Sequence, residues 1–157
     1  MGIQSAGILL YRRRNANKEV MLLHPGGPFW KNKDCGTWSI PKGEFTTEED
    51  PLEAAKREFK EETGTILTGD FVALDPVKLK SGKVIYAWAI EGDMAVSEIV
   101  CNTIRIEWPP KSGKYQQIPE CDRGEWFTIE EARKRINPGQ VGLLQQLEAL
   151  LEIRNKK

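Results

Sequence analysis

"GEFTTEEDPLEAAKREFKEETG", Gly43 to Gly64, packs eight acidic residues against three basic ones, in a chain whose Lys plus Arg and Asp plus Glu each total 23. Like charges four apart on a helix repel by about a few tenths of a kcal/mol, yet Glu58, Glu61 and Glu62 crowd into little more than one turn. The stretch carries the marks of a helix. Asp50 is an N-cap, Pro51 takes the first helical position, and Glu53 stands at capping-box spacing from Asp50. Leu52, Ala55 and Phe59 recur as a core face, and Gly64 ends the helix. At about 100° per residue, Glu58 and Glu62 project within about 40° of each other, with Glu61 about 60° from Glu58 on the far side. Arg57 neighbours Glu61 and can hold it through its planar fork. Such a face is ordinarily solvated. Clustered hard oxygen donors, however, also suit Mg²⁺ or Mn²⁺, which prefer carboxylate, carbonyl and water.

Upstream, "IQSAGILLY" and "EVMLLHP" read as two strands joined by an exposed "RRRNANK" connection. The segment "GGPFWKNKDCGTWSIPKG" reads as a long ordered loop with at most a short strand at Trp38–Ile40; loops of that length are often functional. Downstream, "FVALDPVKLKSGKVIYAWAIEG" gives two β-prone runs around a turn, and "IVCNTIRIEW" another. "PPKSGKYQQIPECDRG" reads as a second long loop and "EWFT" as a short strand. Thr128 with Glu131 caps a helix over "IEEARKRI", and Val141, Leu144, Leu147 and Leu151 give a closing helix. Strands, helix, strands, helices predict a mixed β-sheet with helices packed on it, an α+β or α/β sandwich.

At 157 residues the chain is expected to be one domain, 1–157. With zero formal net charge, there is no general pull toward nucleic acid or an anionic membrane, so no stable nucleic-acid binding is expected. No apolar run approaches the ~18–20 residues that span a bilayer, and the charges of "MGIQSAGILLYRRR" follow its apolar segment, the reverse of a secretory signal. Cys35, Cys101 and Cys121 are odd in number and widely spaced. Reduced thiols and a cytoplasmic setting are therefore expected, rather than a disulfide framework or zinc site.

Gly43, Glu49, Arg57, Glu58, Glu61, Glu62 and Gly64 fall at the spacing G-x5-E-x7-R-E-U-x-E-E-x-G-U. This resembles the Nudix box in all its fixed positions. Phe59 suits the first bulky position U; Thr65 departs from the second, and Ile66 follows it. The order of elements is similar to the Nudix α/β/α sandwich across most of the chain. The resemblance implies a Nudix pyrophosphohydrolase that cleaves a nucleoside diphosphate-linked substrate by water attack on phosphorus, with one to three Mg²⁺ or Mn²⁺ ions. It implies Glu58 and Glu62 as metal ligands, Glu61 as water-mediated ligand or base, the Gly43 carbonyl as a further ligand, Glu49 bracing the loop or approaching an outer metal, and Arg57 orienting the glutamates. "ECDRGEW" resembles a run in MutT-type members and nominates Glu120 as an extra catalytic or metal-binding glutamate; Glu107 is a weaker candidate. His24 carries no motif and reads as structural.

For the substrate, "W-x-x-P-K-G" resembles the lead-in of Nudix enzymes that cut dinucleoside polyphosphates, and places Lys42 to meet a phosphate. Lys111, Lys114 and Tyr115 offer phosphate charge and a stacking surface. Trp30 and Trp38 either line the cleft or pin the loop, and Trp88 reads as core. Dinucleoside polyphosphates or NTPs are the expected substrates. ADP-ribose, a nucleotide sugar or an inositol pyrophosphate is the alternative within enzymes, and a non-catalytic nucleotide-sensing module the alternative outside them.

Overall fold

The computed structural model describes residues 4–101, 103–119 and 121–155. The two opening apolar runs pair antiparallel as β1 (Gln4–Arg14) and β2 (Asn17–Pro25). Their register runs out to Arg14 opposite Asn17, so the connection is far tighter than the basic loop expected. Asn15 takes a left-handed φ of 58° there, a conformation asparagine tolerates in tight hairpins.

Strand β3 (Lys42–Glu44) adds antiparallel to β1, placing Gly43 opposite Ala6. On β1's other pairing, β6 (Val84–Glu91) runs parallel from Gln4 opposite Val84 to Tyr11 opposite Glu91. The first downstream run breaks at Asp75-Pro76 into β4 (Val72–Ala73) and β5 (Val77–Lys78), both antiparallel to β6. Strand β9 (Cys121–Thr128) flanks β2. These form one mixed seven-stranded sheet in the order β4-β6-β1-β2-β9, with β3 on β1 and β5 on β6; β7 (Thr103–Glu107) and β8 (Tyr115–Pro119) form a separate hairpin.

The period of two along the strands divides the core between the sheet's faces. Ala6, Ile8 and Leu10 of β1, with Met21 and Leu23 of β2, pack against Ala54, Ala55 and Phe59 of α1 (Pro51–Thr63). Leu9, Tyr11, Val20, Leu22 and Ile85 face the other way, onto Ala132 of α2 (Ile129–Arg135) and Leu143, Leu144, Leu147 and Leu151 of α3 (Val141–Asn155). This is the expected α/β/α sandwich. Trp38 is fully buried and pins its loop through a bridge to Ile136, whereas Trp88 is only partly buried.

Three expectations are corrected. Leu52 is only half-buried; the buried face of α1 is Ala54, Ala55, Phe59 and Thr63. Much of the second "loop" is strand, because β8 and the start of β9 pair through backbone hydrogen bonds that polar side chains do not forbid. And Cys101 pairs with Cys121 as a disulfide, their Cα atoms 5.9 Å apart, leaving Cys35 as an exposed thiol. That pairing removes the reduced-thiol argument for the compartment. Among the described residues, no helix is long and apolar enough to cross a membrane.

The corrected core face is measurable. Phe59→Ala is expected to cost about 3–5 kcal/mol in urea unfolding, and Leu52→Ala less than half of that; equal costs would contradict the packing.

Candidate functional site

Both ends of α1 are fixed by its sequence. Asp50 accepts a hydrogen bond from the Glu53 N–H at 3.1 Å, and Gly64, at φ 80°, donates its N–H to the Lys60 carbonyl at 2.7 Å. Between these caps the helix displays its glutamates around Arg57. The guanidinium donates to both oxygens of Glu49, from Nε at 3.0 Å and Nη2 at 3.1 Å. Its Nη1 donates to Glu58 Oε1 at 2.8 Å and to both Glu61 oxygens at 3.3 Å. The hydrogen bonds to Glu49 are the largest influence pushing the Arg57 pKa still further up, helped by the charge of Glu58.

On its other side the Glu58 carboxyl lies against Gly43. A Cβ built on Gly43 would sit 2.0 Å from Oε2 and 2.1 Å from the carboxyl carbon. A side chain there would displace the carboxylate, so glycine at this position is what lets the Glu58 carboxylate sit where it does.

Glu62 faces a cavity of about 140 Å³ that it lines with Lys42, His24, Pro25, Ser39 and Cys121. Its Oε2 is buried, and its main-chain oxygen lies 2.9 Å from Cys101 Sγ. Burial is the main cause holding Lys42 below the usual lysine pKa; Lys83 adds to it, while Glu62, Glu44 and Glu58 pull the other way. The structure thus brings together Gly43, Glu49, Arg57, Glu58 and Glu61 in one ion-paired group, with Lys42 and Glu62 together in the adjoining cavity.

Among the described residues, no three acidic, imidazole or thiol groups already stand as an ion cage. The donor set nonetheless fits a hard divalent cation. Glu49, Glu58 and Glu61 crowd onto the one guanidinium of Arg57, and Glu62 lies beside Lys42 in the adjoining cavity, a concentration of carboxylate oxygens that suits such an ion. All the side-chain donors are oxygens, and the glycine brings the backbone of β3 against Glu58.

His24 is fully buried and edge-on to Trp38, with ring centroids 5.1 Å apart. Its Nδ1 lies 3.0 Å from both Asp122 oxygens and its Nε2 2.5 Å from the Lys33 carbonyl. Both nitrogens are engaged by the fold, in keeping with a structural reading.

Other nominated residues stand elsewhere. Lys114 and Tyr115 are exposed on the β7–β8 hairpin and do not line the Glu62 cavity. The Arg105 guanidinium lies 4.2 Å from the Tyr115 ring centroid, already covering one face. Glu107 accepts from the Lys111 and Gly113 N–H groups at 3.0 and 3.1 Å, bracing the hairpin's turn. Glu120 lies outside the described residues. Ser39 and Cys121, which line the cavity, were not foreseen. They reach it through the Leu23–Ser39 bridge and the β2–β9 pairing, and no local motif marks either.

The NUDIX domain family model matches residues 3–147. No curated protein matches the chain in sequence. Among solved structures, the chain resembles a Caenorhabditis elegans Ap4A hydrolase in a binary complex, 23% identical over 96% of this chain and 98% of that one, with a TM-score of 0.62. It also resembles the NUDIX domain of Shewanella oneidensis NrtR complexed with ADP ribose, at 16% identity, 96% and 89% coverage and a TM-score of 0.65. A mutT/nudix family protein from Listeria innocua is 16% identical over 99% and 98%, with a TM-score of 0.64. At these identities the neighbours speak for the fold alone, while the family model spans nearly the whole sequence. The chain belongs to the NUDIX family of hydrolases.

Proposed function

We propose that the chain acts as a single Nudix domain, a divalent-metal-dependent pyrophosphohydrolase cleaving a nucleoside diphosphate-linked substrate by water attack on phosphorus. The observation that carries this reading is the Arg57 group. One guanidinium gathers Glu49, Glu58 and Glu61 while Gly43 leaves room for the Glu58 carboxylate. Bound Mg²⁺ or Mn²⁺ would supply a more acidic water and neutralise phosphate charge. Glu58 and Glu62 would hold it with the Gly43 carbonyl, and Glu61 would act as a water-mediated ligand or as base. Arg57 keeps these carboxylates in place. Lys42, half-buried beside Glu62, would meet a phosphate as a point charge.

Dinucleoside polyphosphates and NTPs are the preferred substrates, a choice favoured by the "W-x-x-P-K-G" lead-in and the likeness to the Ap4A hydrolase. The likeness to an ADP-ribose-bound NUDIX domain supports ADP-ribose as a second reading. A sensing module would not need its box glutamates, and this chain retains every one.

A hydrolysis panel of diadenosine polyphosphates, NTPs, ADP-ribose, nucleotide sugars and inositol pyrophosphates, run with Mg²⁺ or Mn²⁺, tests the proposal. Activity abolished both by EDTA and by Glu62→Gln is expected; turnover that survives EDTA would overturn it. Gly43→Ala should weaken Mn²⁺ binding by about tenfold or more in calorimetry, because Glu58 must move. Arg57→Lys keeps the charge but loses the fork, and about a 10–100-fold drop in kcat/KM is expected. An unchanged value would remove Arg57 from its positioning role.

A further inference from the structure

The Cys101–Cys121 disulfide joins the two legs of the β7–β8 hairpin at its base, Cys101 just before β7 and Cys121 at the start of β9. The hairpin stands apart from the seven-stranded sheet, and Ile118 is the one buried residue of its two strands. A two-stranded hairpin is marginal by itself, so its hold on the domain is concentrated where its legs leave and rejoin the body. That base also covers the carbonyl end of α1. The last four carbonyls of a helix have no partner within it. Here the Thr63 carbonyl accepts from the Val100 N–H at 3.3 Å, and the Glu62 carbonyl oxygen lies 2.9 Å from Cys101 Sγ and 3.8 Å from Cys121 Sγ. Cys121 in turn lines the cavity of Glu62 and Lys42.

We propose that this disulfide is a redox-controlled clamp on the acidic centre: closed, it fixes the end of α1 that carries Glu62, and opened to two thiols it lets that end and the hairpin loosen. The inference rests on the reading of Glu62 as a metal ligand and adds how its hold on metal is regulated.

Cys101 is partly exposed while Cys121 is nearly buried at 4%, so a small thiol reaches the bond at Cys101. The first thiolate of a dithiol attacks Cys101 Sγ and expels Cys121 as a thiolate, which takes up a proton. The second sulfur of the dithiol then displaces Cys101, which is protonated in turn, and the reductant closes into a cyclic disulfide. Two electrons and two protons pass to the protein. The freed sulfurs then part to ordinary contact distance. Cys121 is kept in place by β9, paired opposite Pro25, so the Cys101 leg is the one that moves. Val100 goes with it, and a thiol is too weak a donor to hold the Glu62 carbonyl. The last turn of α1 thereby loses its outside partners. Glu58, a turn earlier, stays tied to Arg57, so the loosening is confined to the turn that bears Glu62.

Cys35→Ser removes the exposed third thiol and serves as the background. Hydrogen exchange and Mn²⁺ calorimetry are run on its disulfide form, on the form reduced with dithiothreitol and then freed of it under argon, and after reoxidation with glutathione disulfide. Reduction is expected to speed exchange about tenfold or more in the last turn of α1 and in β7–β8 while β1 and β2 keep their protection. Mn²⁺ binding is expected to weaken about tenfold, and reoxidation to restore both. Cys101→Ser in the same background should match the reduced form before and after dithiothreitol. Identical exchange and Mn²⁺ affinity in the two redox forms overturn the proposal. So does unfolding or loss of protection throughout the sheet on reduction, the mark of a plain staple, and so does local loosening with Mn²⁺ affinity unchanged. Absence of Mn²⁺ binding in every form would instead sink the metal reading of the acidic centre, and the clamp would then stand or fall on the exchange data.

Discussion

The fork of Arg57 is what allows the acidic helix to exist in this form. Like charges 4 Å apart repel by about 4 kcal/mol at the effective dielectric of a protein surface, and Glu58, Glu61 and Glu49 converge on one place. Arg57 satisfies all three with donors fixed in a plane, a geometry lysine cannot reproduce. Because Glu49 precedes the N-cap, the same guanidinium ties the lead-in loop to the body of α1. Strand β3 is held independently by its pairing with β1, so the Glu58 carboxyl is set between two anchored backbones. Only a glycine at residue 43 lets that close.

The two cavities follow from the way β2 ends. Its pairing with β9 shifts register between His24 and Pro25, and there the chain leaves the sheet. His24, the last residue before the shift, is buried against Trp38 and tethered to Asp122. Pro25 follows as the partition between polar and apolar space. The tight passage of Gly26 and Gly27 along β8 then turns the aromatic residues onto the hairpin. A strand end thus separates a polar cavity from an apolar one.

What could be read in the sequence was what depends on short-range spacing. The caps of α1 at Asp50 and Gly64, the cap of α2 at Thr128 and the gathering of glutamates around Arg57 are all set within a few helical turns. The layer order followed as well, since alternation along β1 and β2 feeds two opposite faces. The β7–β8 hairpin was only half legible, because its exposed Gln116 and Gln117 carry no alternation to mark a strand. The Cys101–Cys121 pair spans a separation of 20 residues and forms where β9 and the approach to β7 meet the end of α1. Cysteine spacing carries no trace of that meeting.

The same division explains why the family is clearer than the substrate. The box runs from β3 through a short connection into α1, which Phe59, Ala54 and Ala55 lock against the sheet, so its residues stay close in sequence, those on the helix at helical spacing, and leave a linear signature. The aromatic wall is assembled from the Phe29–Trp30 stretch after β2 and from the β7–β8 hairpin much later in the chain, and none of these lining residues belongs to the sheet's two core clusters. Such surfaces can change composition without disturbing the fold. The spacing of the box therefore fixes where the carboxylates gather, while the aromatic cavity is written in segments that only tertiary structure brings together.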